Sequence, residues 1–483
     1  MSTSLLRRLN SGLDDATDIA EKVRTGRRSA ADVLARARAE AESPAGRAAN
    51  AFITEDWDRA AEAAAALDKR RAAGERLGVL AGVPLSVKDV IAVAGLPVTA
   101  ASLAFTDKIA TTTAPAVQRL LDADAILIGK TNCPEFAFGP ICDSPVLGRT
   151  TNPRFPSATP GGSSGGEAAS VAAGISALGI GSDYGGSLRW PAQCVGIAAL
   201  RPGAGSLPGQ GQVPGTDGSF GDDGTIPAAG TGVQGTFQTI GPMARSVRDL
   251  RTAFRVMRAQ PSTGAAEPAQ PAGHDDAPVR PASRPMRLLW TDGGRFGPVR
   301  GEIRAMMKQA AAKLAAHGNE VHEEPEALSG CLPAYDRLRA VDPMKEHAAA
   351  IRGREHRITA SNLHTIRSTF LSSPDEVRNA WRAAEAARKA AQEQLGTVDA
   401  LILPVAGGPA SDAEGRLDID GTSVQGWEIM GHCRAVTLTG CPVVSIPIAM
   451  SSDGLPLSIQ IVTGPGLELH ALDIAEQLEL LLA

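Results

Sequence analysis

The sequence is poor in aromatic residues, with 10 Phe, 5 Trp and 2 Tyr among 483 residues. No run of about 18 apolar residues occurs, so no membrane-spanning helix is expected. The formal net charge of −5 leaves no basic footprint for nucleic acid. Arg7 and Arg8 are followed by no apolar stretch, which argues against a Sec-type leader and for a cytoplasmic location. Only six cysteines are present, with no Cys-x-x-Cys, so neither a disulfide framework nor a zinc site is expected. The eight histidines, all between His274 and His470, are scattered.

What the chain does have is ordinary packing composition and much glycine. Hydrophobic residues make up 43% and charged residues 21%, which excludes wholesale disorder. Glycine numbers 52, above the ~7% of average usage. Ser29 with Asp32 reads as an N-cap pair for a helix over 30–41, and 57–71 is an Ala-rich helix. Strands are expected within 79–87 and at 125–129, 198–200, 287–290, 320–322, 400–404, 443–448 and 457–462. Helices are expected at 167–178, 245–257, 301–317 and 468–482, with an interrupted helical region over 332–395. This alternation makes the class α/β: one large domain with a mixed central β-sheet covered by helices. Along the chain we read an N-terminal helical region (1–75), a core (76–260), a Pro- and Gly-rich flexible linker (261–285) and a C-terminal part of the same domain (286–483).

Three familiar patterns fail on inspection. Gly129-Lys130-Thr131 ends a strand as a P-loop would, but Asp124 stands where the first glycine is needed. Gly230-Thr-Gly-Val-Gln-Gly235 has dinucleotide-loop spacing but follows no clear strand. Gly161-Gly-Ser-Ser-Gly165 fits a nucleophile elbow centred on Ser163, yet three prolines in the preceding nine residues exclude the strand that an elbow needs.

The stretch 161–202 holds two Gly-Gly-Ser units, at 161–163 and 185–187. Successive glycines let backbone N–H groups converge, and a serine directly after them can set its hydroxyl beside those donors. The wider pattern resembles the amidase signature family. The matching motifs are Gly82-Val-Pro-Leu-Ser-Val-Lys-Asp89, Gly129-Lys-Thr-Asn-Cys-Pro-Glu-Phe-Ala-Phe-Gly139, Gly148-Arg-Thr-Thr-Asn-Pro153, Thr159-Pro-Gly-Gly-Ser-Ser-Gly165, Gly241-Pro-Met-Ala-Arg245, Thr439-Gly-Cys-Pro-Val-Val-Ser-Ile-Pro447 and Gly454-Leu-Pro-Leu-Ser-Ile-Gln460. The likeness runs from about residue 29 to 480.

The resemblance implies a Ser–cis-Ser–Lys triad, with Lys88 as base, Ser163 as bridge behind a cis peptide, and Ser187 as nucleophile. It places the oxyanion donors on the backbone of Tyr184, Gly185, Gly186 and Ser187. Phe136, Phe138 and Ile141 follow a motif where the family builds part of its acyl pocket, and Tyr184 could project toward the leaving group. Asp183 and Arg189 are expected to hold the nucleophile's loop. A lysine serves as base only when neutral, and burial lowers its pKa from about 10.4. The implied activity is hydrolysis of a small-molecule carboxylic amide through an acyl-enzyme, without cofactor, metal, nucleic acid or membrane; homodimerisation is left open. Rival readings are the glutaminase subunit of a tRNA-dependent amidotransferase, an amide- or ester-forming acyltransferase, and a scaffold on an inactive fold. The scaffold should have lost Lys88, Ser163 or Ser187, and all three are present. Specificity is expected from the helical region 330–430. The stretch 203–235 is longer than the family's usual connection; such loops are often lids or disordered.

Overall fold

The computed structural model describes residues 3–216, 218–228, 230–258 and 284–482. The expected linker 261–285 lies outside these residues apart from 284–285.

An 11-stranded mixed sheet organises the chain. In chain order its first strands are β1 (Phe52–Glu55), β2 (Pro84–Lys88) and β3 (Ile126–Thr131). A two-stranded ribbon, β4 (Asp143–Ser144) and β5 (Gly148–Arg149), stands apart. The sheet continues with β6 (Leu178–Asp183), β7 (Ala198–Arg201), β8 (Thr239–Ala244), β9 (Arg287–Trp290), β10 (Glu320–Glu323) and β11 (Ala400–Pro404). After a hairpin of β12 (Arg416–Ile419) and β13 (Thr422–Gln425), it closes with β14 (Val443–Met450) and β15 (Pro456–Val462). The spatial order is β1-β3-β2-β6-β8-β7-β14-β15-β11-β9-β10. Pairs β2/β3, β2/β6, β9/β11 and β9/β10 are parallel and the rest antiparallel. Every residue of β2, β3, β6 and β8 is buried, so both faces of this half of the sheet are covered.

Local rules explain most elements. Ser29 Oγ accepts from the Asp32 N–H and starts the helix Ala30–Glu42. The helix Gly301–Ala316 stops just before Gly318, which has φ +84°. Four readings need correction. The small-residue helix ends at Ala172, not 178: Gly174 takes φ +79°, and Leu178 already begins β6. Of the segment 79–87, only the part from Pro84 is a strand, because 79–83 turns, with Gly82 at φ +73°. The strand β8 was missed because Pro242 sits inside it. The ladder to β7 is confined to Ala198↔Ala244 and Ala199↔Met243, so no hydrogen bond on that side is asked of Pro242. The hairpin β12–β13 was also missed, although Asp420-Gly421, both at positive φ, is a strong hairpin signal.

The stretch 203–235 is neither wholly irregular nor detached. Its end forms the short helix Gly232–Phe237. The Val213 N–H donates to Val90 O at 2.9 Å, and the Ala92 N–H to Gly211 O at 2.8 Å. Phe220 packs its ring 4.3 Å from that of Phe105.

Candidate active site

Lys88 is the last residue of β2, and Ser182 the penultimate residue of β6, its parallel neighbour. The two side chains therefore emerge together at one end of the sheet. Gly181 has no side chain there; a Cβ would lie 2.6 Å from Ser164 Oγ. That vacancy lets the turn before the helix Gly165–Ala172 settle onto β6 and bring Ser163 and Ser164 to the lysine. The peptide bond between Gly162 and Ser163 is cis, as the resemblance implies.

Lys88 Nζ lies 2.7 Å from Ser163 Oγ, and 3.1 Å from both Ser164 Oγ and Ser182 Oγ. It is fully buried, and no carboxylate forms an ion pair with it among the described residues. Burial lowers its pKa to about 8. Ser164 Oγ donates to Ser182 O at 3.2 Å, so toward Lys88 it can act only as acceptor. A neutral amine donates two hydrogens and keeps a lone pair, which leaves Ser163 able to donate to it. Beneath lies Glu167, which accepts from Ser86 and, at 2.7 Å, from Thr131; burial raises its carboxyl pKa to about 7.

Ser187 follows β6 on a turn held from inside the core. The Asp183 carboxylate accepts from the Gly186 N–H at 2.8 Å and the Leu188 N–H at 3.1 Å. Arg189 grips the same carboxylate at 2.9 and 3.0 Å, and Arg201 lies 3.6 Å from it. Burial opposes the charge on Asp183, but the two guanidiniums outweigh it and hold the pKa near 2. Arg189 also donates to Gln460 at 2.6 Å and to Thr437 at 2.7 Å, which ties the turn to β15 and to the helix Gly431–Leu438. Gly186 sits at φ +126°, where a Cβ would be 2.6 Å from that of Cys433. The Gly186 N–H is engaged by Asp183, whereas the amides of Tyr184, Gly185 and Ser187 have no partner among the described residues. The turn and the cis segment are joined by the Ser164 N–H donating to Ser187 O at 3.2 Å. Among the described residues no hydrogen bond joins the Ser163 and Ser187 hydroxyls, although both face the same cleft.

That cleft has a volume of about 550 Å³ including its open mouth. Phe136, Phe138, Ser163, Ser182, Tyr184 and Ser187 line it. Ile141 is not among its lining residues; its side chain stands where a Cβ on Gly415 would come within 2.4 Å. The opposite wall comes from two distant segments, the long stretch for which a lid was one expectation and the helical region expected to set specificity. The end of the glycine-rich stretch supplies Thr231, Val233 and Gln234, and the helical region supplies Arg339, Asp342 and Glu346. The two segments are latched together. The Val233 N–H donates to Asp342 Oδ2 at 2.9 Å, and the Thr231 N–H to Glu346 Oε1 at 2.9 Å. Nothing local in the sequence signals this pairing, which spans more than a hundred residues. All six cysteines are buried and free, and burial raises the thiol pKa of Cys142, beside the cis segment, to about 11. Among the described residues no helix is long and apolar enough to cross a membrane.

Sequence and fold comparisons agree on the class. The Amidase family matches over residues 35–472. An indoleacetamide hydrolase of Bradyrhizobium diazoefficiens is 30% identical over 89% of this chain and 79% of its own length. One of the subunits of the glutamyl-tRNA(Gln) amidotransferase of a Synechococcus species is 29% identical over 89% of each chain. A solved structure of 6-aminohexanoate cyclic dimer hydrolase, complexed with substrate, superposes with a TM-score of 0.81 at 26% identity, covering 97% of both chains. The fold and site therefore define an enzyme that hydrolyses carbon–nitrogen amide bonds. The chain belongs to the amidase signature family.

Proposed function

We propose that the chain hydrolyses a small-molecule carboxylic amide through an acyl-enzyme on Ser187, with Ser163 as proton relay and Lys88 as base. The observation that carries this reading is a buried lysine with no carboxylate partner among the described residues, 2.7 Å from a serine hydroxyl that opens on the same cleft as Ser187. A serine hydroxyl attacks an amide only as its proton is taken. In the first half-reaction Ser187 Oγ bonds to the carbonyl carbon, and its proton moves through Ser163 to neutral Lys88. The carbonyl oxygen gains the negative charge and meets the backbone N–H groups of Tyr184, Gly185 and Ser187, which have no partner among the described residues; Gly186, which the resemblance counts among the donors, is not one of them, because Asp183 holds its N–H and it shapes the turn instead. The proton then returns through Ser163 to the leaving nitrogen as the C–N bond breaks. In the second half-reaction water replaces the amine, loses a proton by the same route, and the ester bond to Ser187 breaks. The carboxylic acid leaves and Ser187 Oγ is reprotonated. Six reduced, buried thiols suit a cytoplasmic setting.

The test is a fluorophosphonate probe mapped by mass spectrometry, followed by kinetics on a simple aryl amide. Label is expected on Ser187 and absent from Ser187→Ala, whose kcat/KM should fall by about 10⁴-fold or more with the fold retained. Full activity of Ser187→Ala would overturn the reading. Likeness to the Synechococcus amidotransferase chain supports a glutaminase as second reading. Glutamine as sole substrate, turned over only with a partner chain, would favour it.

A further inference from the structure

Arg339 is a cation in the cleft that Ser187 faces and has no counter-ion among the described residues. It lies on the helix Cys331–Val341 and lines that cleft. Its Nε is buried without a hydrogen-bond partner, and among the described residues the side chain makes no ion pair. The guanidinium is instead stacked on Trp427, 4.3 Å from the ring centroid. Trp427 in turn covers the glycine turn before Ser187: a Cβ on Gly185 would lie 3.1 Å from the indole. One aromatic ring thus separates the guanidinium from the backbone donors beside the nucleophile.

The neighbouring charges are all committed. Arg434, also against Gly185, pairs with Asp336. Arg189 and Arg201 enclose Asp183. The two carboxylates on the cleft wall are spent on the latch: Asp342 also accepts from Trp381 Nε1 at 3.0 Å, and Glu346 accepts from both the N–H and the hydroxyl of Thr231. A stacked guanidinium keeps its planar donor edge free and is already ordered, so binding a carboxylate costs little further entropy. Leaving such a donor edge unpaired in a partly desolvated cleft favours the substrate that pairs it.

We propose that Arg339 receives a carboxylate of the substrate, so that the preferred amides carry an anionic carboxylate in their acyl or amine part. This rests on the reading of Ser187 as the nucleophile. The test uses two matched series: glutaryl against hexanoyl p-nitroanilide for the acyl side, and N-benzoyl-β-alanine against N-benzoylpropylamine and N-benzoylethylenediamine for the amine side. In at least one series the carboxylate substrate should exceed its neutral partner in kcat/KM by about tenfold or more. Arg339→Met should reduce that preference to within about twofold while leaving the neutral substrate within about threefold, and Arg339→Lys should retain part of it. The series that responds tells which side carries the carboxylate. Preference for the neutral member of the acyl series together with the neutral or the ammonium member of the amine series would overturn the proposal. So would an equal loss on charged and neutral substrates in Arg339→Met, the mark of a stack that only supports Trp427. Probe labelling keeps the two readings apart. Absence of label on Ser187 defeats the nucleophile assignment, whereas labelling without carboxylate preference defeats this proposal alone.

Discussion

The backbone of 161–189 is framed by buried charged groups, whereas the described part of 203–238 is fastened by backbone hydrogen bonds and apolar anchors such as Val213 and Phe220, and both stretches are rich in glycine. In the first, the framing groups are buried and charged: Asp183 with Arg189 and Arg201 beneath the turn, Glu167 and Lys88 beneath the cis segment. Glycine is needed at Gly186 because packed atoms already occupy the place of a side chain. In the second, the fastenings are backbone hydrogen bonds to 90–92 and 111, the Lys108–Asp222 ion pair, and the two carboxylates at its end. A Cβ on Gly224, at φ +93°, would meet nothing within 4 Å. Glycine thus has two uses: clearing space for closely packed backbone, as at Gly186 and also at Gly211 and Gly232 of the second stretch, and turning an exposed part of the connection, as at Gly224. The connection still matters to the cleft, because its last residues form one wall.

The largest effect expected is on the lysine that the inner region encloses. Lys88→Met should lower kcat/KM by about 10³-fold or more, since neither Ser163 nor Ser187 then has a base. In the unmodified enzyme kcat/KM should rise with pH through about 8, because burial lowers the lysine pKa to that value and only the neutral amine accepts a proton. A steady-state kcat/KM independent of pH between about 6 and about 9 would break the assignment.

Next in size is the glycine contrast. Gly186→Ala should cost about 100-fold in kcat/KM and about 3 kcal/mol of stability, through the clash with Cys433 and the positive φ. Gly224→Ala should cost about 1 kcal/mol and leave kinetics unchanged, since only φ is strained. Chemical denaturation alongside kinetics compares the pair, and equal effects would erase the distinction between packed and open glycines.

A smaller change is expected at the latch. Glu346→Ala frees Thr231 and should raise KM by about tenfold with kcat within about threefold, because the wall loosens while the reacting groups stay. Smallest is Asp222→Asn, at a partly exposed ion pair that takes no part in the latch, worth less than about 1 kcal/mol and without effect on rate. A large kinetic effect there would make the whole connection part of the site.

The resemblance was legible because its motifs are local and glycine-marked. The cis peptide at Gly162–Ser163 is present, and Asp183 and Arg189 do hold the turn. The central strands were read from short apolar runs, except where glycine or proline interrupted them, as in β6 and β8. The substrate side of the cleft was less legible. Phe136 and Phe138 line it, but Ile141 does not, and Arg339, Asp342 and Glu346 lay unranked among many polar residues of 330–430. Their meaning comes from facing residues 231–233, a pairing with no period or spacing to betray it.

By itself the sequence determined the family, the α/β class and the small set of groups around Lys88, because close backbone packing permits few residue types at those places. The tertiary structure alone decided which hydroxyls surround the lysine, which segments wall the cleft and which of its arginines has no ion pair among the described residues. Those outcomes depend on burial and on contacts between elements far apart in the chain, and a side chain carries no local mark of the neighbour it will meet.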